Sequence, residues 1–141
     1  MTRKDAFVRI IEGFDIDRNR YADMSRLLDR QFAAALRRDA FSLNEIGDAI
    51  LALANTLGAS HEIRRKDLRA LIAPLKPESM AQVCEALPGA ARDKLTREWG
   101  QFEMRVLECA QLNRRNAMLM TSQYEVMQRV LQGEVDTYVC P

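Results

Sequence analysis

Apolar residues recur at three- and four-residue steps along most of the chain, and no stretch alternates with period two for long enough to make a strand. From Asn19 to Leu57 the stripe is Met24, Leu28, Ala35, Leu43, Ile46, Ile50, Leu53 and Leu57. That spacing predicts one amphipathic helix, roughly 55–60 Å long at the α-helical rise. Asp17 or Asn19 would cap its start, and Gly47 weakens it without breaking it. A short amphipathic helix around Phe7, Ile10, Ile11 and Phe14 is expected to pack at one end.

Gly58-Ala59-Ser60 reads as a C-cap followed by a new N-cap, opening a shorter helix from His61 to Ala73. Pro77-Glu78 opens another, carrying Met80, Val83, Cys84 and Leu87, which Pro88-Gly89 stops. The last segment runs from Ala91 to Gln132, with Gly133 as terminator. Its stripe is Leu95, Trp99, Phe102, Val106, Cys109, Asn113, Asn116, Met120, Met127 and Leu131, widened by Leu112, Leu119 and Val126. Such a helix buries its stripe by folding back on the first. The expected fold is therefore all-α: two long antiparallel helices with short connecting helices, forming an elongated, coiled-coil-like bundle in a single domain over residues 1–141.

Composition narrows the function. With 48% apolar and 29% charged residues the chain reads as folded and globular, and 21 basic against 20 acidic side chains leave a net charge of +1. No overall field draws it to nucleic acid or to an anionic membrane. No apolar run approaches the roughly 18–20 residues that span a bilayer. MTRKDAFVRIIEGF holds no long apolar core with a cleavage site, so the expected location is the cytoplasm. Cys84, Cys109 and Cys140 are widely spaced without a CxxC, which disfavours a disulfide scaffold or a zinc site; Cys84 and Cys109 read as small core residues.

Candidate chemistry is thin. His61 is the only histidine, and Gly58 stands three residues before it where a di-iron bundle needs glutamate. Asp15-Ile16-Asp17-Arg18-Asn19 begins like a calcium loop, but Arg20 occupies the glycine position and Arg26 the bidentate glutamate position. Gly89, Gly100 and Gly133 are isolated, so no phosphate loop is present. Neither an enzyme nor a cofactor is expected. Arg64, Arg65, Lys66 and Arg69 form a local basic cluster able to meet an acidic partner, although beside Glu62 and Asp67 it reads as a solvated helix face.

Asn113 and Asn116 interrupt the last apolar stripe. A buried asparagine without partners costs on the order of 1–3 kcal/mol, so both need hydrogen bonds. Two readings stand. The asparagines bond across the bundle and fix its register, as a polar core residue does in a coiled coil. Alternatively they line a groove with Leu112, Leu119, Met120 and Met127 that receives an amphipathic helix.

Trp99, Cys109, Leu112-Asn113-x-x-Asn116 and Thr137-Tyr138 after Gly133 resemble the C-terminal half of the FlgN family of flagellar export chaperones. That family carries a tryptophan near the start of its last long helix, an LN-x-x-N-G signature and a Tyr-Gly pair near the end. Leu27-Leu28, Ala34-Ala35-Leu36, Asp39, Leu43 and Ile46 are similar to its first half, whereas Ala117 and Val139 stand where it usually has glycine. The resemblance implies a cytoplasmic, cofactor-free export chaperone, monomeric or weakly dimeric. It implies binding to the C-terminal helices of hook-associated proteins 1 and 3 and delivery to the flagellar type III export gate or its ATPase complex. With such a client, the groove of Leu112, Asn113, Asn116, Leu119, Met120 and Met127 becomes its binding site. Met104, Met118, Met120 and Met127 would suit a surface that adapts to more than one client, although Met104 and Met118 need not share a face with the other two. The resemblance implies gate docking by Tyr138. The alternative is a self-contained helical adaptor or dimerising bundle.

Overall fold

The computed structural model describes residues 2–139, apart from the side chains of Val135, Thr137, Tyr138 and Val139. Four helices follow one another: α1 Arg3–Leu36, α2 Ala40–Ile72, α3 Met80–Glu85 and α4 Gly89–Val139. The all-α bundle is as the periodicity requires, but it has three long helices rather than two. The stretch read as one helix from Asn19 to Leu57 is the second half of α1 and the first half of α2, and the Phe7–Phe14 segment is the start of α1.

The break falls at Arg37-Arg38-Asp39, without glycine or proline. Arg38 takes φ 55°. Its N–H donates to the Ala35 carbonyl at 3.1 Å and the Asp39 N–H to that of Ala34 at 3.0 Å, the paired bonds that close a Schellman helix end. Asp39 then caps α2 by accepting from the Ser42 N–H at 3.1 Å and the Ser42 hydroxyl at 2.7 Å. At the other end of α1, Thr2 and Asp5 form a reciprocal capping box.

Gly58 and Gly133, expected to end helices, lie inside α2 and α4. A mid-helix glycine costs only about 1 kcal/mol. In α2 the burial of Leu57 on one side and Leu71 and Ile72 on the other outweighs that cost. The expected stop at Pro88-Gly89 and the expected short helix bearing Met80, Val83 and Cys84 correspond to α3 and the start of α4.

α1 lies between the other two long helices. Arg9 pairs with Asp67 and Asp17 with Arg64, so α2 runs antiparallel to α1. Along α4 the offset between hydrogen-bonded partners stays between 83 and 88 residues, from Arg18–Gln101 through Ser25–Cys109 to Asn116–Leu28 and Gln123–Ala35. α4 is therefore parallel to α1. The full return length of α2 makes this possible, since it brings the chain back to the end where α1 began.

Two apolar cores stack along the bundle. The first joins Ala6, Ile10 and Phe14 to Leu71, Ile72, Val83, Cys84, Leu87 and Leu95. The second joins Met24, Leu28, Leu57 and Cys109, flanked by Tyr21, Ile50, Leu53 and Leu112. Between them lies a polar layer. Asp17, fully buried, accepts from Arg64 at 2.9 Å, Ser60 at 2.6 Å and Arg20 at 3.0 Å. The Arg64 guanidinium also lies 4.9 Å and 4.7 Å from the ring centroids of Phe14 and Phe102. Arg64 is thus a core residue and not part of a solvated face.

Candidate protein-binding surface

The α1–α4 seam is specified by polar groups as much as by apolar ones. Asn116 is fully buried. Its amide nitrogen donates to the Leu28 carbonyl at 2.7 Å and to the Gln31 side-chain oxygen at 2.9 Å, and its own oxygen accepts from Arg115 at 3.1 Å. Arg115 in turn pairs with Asp29 at 3.1 Å and stacks over Phe32 at 4.0 Å. Lower in the seam, the Cys109 thiol donates to the Tyr21 carbonyl and meets the Ser25 hydroxyl, both at 3.2 Å. Burial raises the Cys109 thiol above its ordinary pKa. Tyr21 is raised first by burial and then by the nearby Asp17 charge.

Gln123 is the last grip of α4 on the bundle. Its side-chain amide donates to the Ala35 carbonyl at 2.7 Å, near the end of α1 where carbonyls lose their helical partners. Beyond it α4 continues through residues 124–139, roughly 24 Å of helix. Among the described residues, those from Tyr124 to Glu134 are all exposed. Tyr124 is 65% exposed, Met127 51%, Val130 55% and Leu131 50%. At the tip that α4 leaves behind, Leu36 and Phe41 are also exposed.

The residues expected to bind a client separate into two groups. Asn116 and Leu112 face α1, the first fully bonded and the second packed on the second core. Leu119 and Met120 are half-buried beside the last contacts, whereas Asn113 and Met127 are exposed. Met104 and Met118 lie exposed on α4. The side chain of Tyr138 is outside the described residues. Tyr124 and Val130 were not singled out from sequence; they become visible once α1 is known to end at Leu36, since only then does the α4 stripe overrun its support.

Among the described residues, no group of three or more His, Cys, Asp or Glu is placed to hold a metal ion, and no helix is long and apolar enough to cross a membrane. The apolar stripe of α4 thus runs on beyond the core it shares with α1. The family model described as FlgN protein matches residues 1–133, and the chain belongs to the FlgN family, which is a family of flagellar export chaperones. No curated protein and no solved structure matches it.

Proposed function

We propose that this chain is a cytoplasmic chaperone for the hook–filament junction subunits, hook-associated proteins 1 and 3. It holds their C-terminal amphipathic helices on the projecting part of α4 and delivers them to the type III export gate or its ATPase complex. The observation that carries this reading is the apolar stripe of α4 that runs on past the end of α1. A client helix laid along Leu119, Met120, Tyr124, Met127, Val130 and Leu131 would bury on both sides surface that neither partner covers alone. Asn116 and Leu112 support this surface from below by fixing α4 to α1, and Asn113 lies exposed at its margin. Tyr138, near the end of the same helix, would dock on the gate.

Calorimetry of the full chain with the separate C-terminal segments of the two subunits tests the reading. One-to-one binding, weakened by Met127→Glu and Leu131→Glu at unchanged melting temperature, is the expected result. No binding, together with a concentration-dependent dimer that the same substitutions dissolve, would favour a bundle that pairs with its own copy.

A further inference from the structure

A second surface lies at the opposite end of the molecule, where α2, α3 and α4 converge on a half-open cavity of about 420 Å³. Its floor is apolar and aromatic: Leu68 from α2, Met80 and Val83 from α3, Trp99 and Phe102 from α4. One wall is a ladder of cation-bearing or protonatable side chains, His61, Arg65 and Arg69, set one turn apart on the same face of α2. Among the described residues, Arg65 is held by an exposed pair with Glu62 at 3.3 Å. Arg69 has no ion-pair partner among the described residues. Glu78 is the one acidic side chain on the rim. Arg64 closes the base with its charge already matched by Asp17.

We propose that this cavity is a docking site for an acidic segment of a partner protein, one that inserts a large apolar side chain between flanking carboxylates. A half-open space of this size, floored by apolar and aromatic side chains and walled by cations, suits a large apolar side chain flanked by carboxylates. The occupant's backbone therefore runs over the mouth while its anchor enters. The stepped cations match carboxylates spread along a peptide, whereas a nucleotide phosphate would call for cations converging on one point. Charge complementarity at such a rim sets specificity and encounter rate, and the anchor on Trp99 and Phe102 sets residence. Trp99 lies roughly 40 Å along α4 from Met127, so both ends of the chaperone can be occupied together.

Trp99 is the chain's single tryptophan and reports on the cavity directly. The probe is a synthetic peptide with one phenylalanine between paired glutamates, titrated into the full chain while tryptophan emission is followed. A saturable change is expected, weakened about ten-fold or more by Arg65→Glu with Arg69→Glu, and lost when the peptide's phenylalanine becomes alanine or its glutamates become lysines. Both arginines are exposed, so the melting temperature should hold. Met127→Glu should leave this binding intact, which separates its outcome from that of client binding. The proposal is overturned by no saturable change at about 1 mM peptide, by indifference to the arginine substitutions, or by equal binding of the control peptides. A tighter response to ADP or to decanoate than to the peptide would likewise overturn it.

Discussion

Asn116 on α4 donates to the main-chain oxygen of Leu28 on α1 at 2.7 Å, inside a seam from which water is excluded. The bond links helices that run in the same direction and fixes how far α4 is shifted along α1. That shift decides which part of α4 projects. A slide by one turn would hide or expose about four more residues of the stripe.

Replacing Asn116 with alanine should therefore cost about 1–3 kcal/mol, measured as a fall in the urea midpoint at unchanged slope. The side chain uses both amide hydrogens and accepts one bond, so its loss takes a donor from Gln31 and an acceptor from Arg115, which keeps its pair with Asp29. Loss of register should also appear as altered exchange of amides around Gln123, whose bond to Ala35 depends on the same alignment.

Arg64→Met should be among the most damaging single changes, with a loss of about 3–5 kcal/mol, because Asp17 keeps a fully buried charge after its main partner is gone. Adding Asp17→Asn to that variant should recover part of the loss by removing the stranded charge, a non-additivity that a double-mutant cycle reads directly. Arg64→Lys should not match the native residue, since an ammonium lacks the flat face that lies against Phe14 and Phe102.

Arg38→Gly should stabilise the chain. The left-handed backbone at Arg38 costs a residue with a Cβ about 1–2 kcal/mol, and glycine adopts it freely. Part of that gain is returned through the greater freedom of glycine in the unfolded chain. A net rise in thermal midpoint checks the sign.

Stability should decline at both ends of the pH scale, for different groups. Cys109 and Tyr21 have folded pKa values raised by burial, so their contribution is complete below their unfolded values and is lost as pH climbs through the raised ones. Asp5 and Asp39 are lowered by the capping hydroxyls and N–H groups of Thr2 and Ser42, so their contribution is present above the unfolded carboxylate value and is lost as pH falls through the folded one. Urea titrations across pH should show both limbs. Native Cys109 should also resist alkylation at a pH where the unfolded thiol reacts.

The helical class, the α3 connector and the apolar stripe of α4 are legible in the sequence because they rest on local periodicity and on proline punctuation. The α1–α2 hairpin is not. Its turn uses an arginine where a glycine would announce it, and the stripe from Met24 through Ala35, Leu43 and Ile46 runs across the break with helical spacing. Gly58 misleads in the opposite direction, because tertiary burial on both sides carries α2 through it. The parallel pairing of α1 and α4 follows from the true length of α2, so one misplaced turn changed the direction of the last helix along the first and not its partner. Asn116 stood out as an anomaly in the stripe, and its bonds to Leu28 and Gln31 show how the anomaly is satisfied. The cation ladder beside Trp99 could not be seen in one dimension, since α2 and α4 approach it from distant parts of the chain.

The most direct test of client holding is hydrogen exchange on the full chain, alone and with the C-terminal segment of a junction subunit. Residues 124–134 are exposed, and the amides of this stretch should exchange quickly in the free protein. Slowing confined mainly to that stretch on adding the segment, and absent in Met127→Glu, is the predicted result. Protection that appears only elsewhere in the bundle, or that is already complete without the segment, would contradict it.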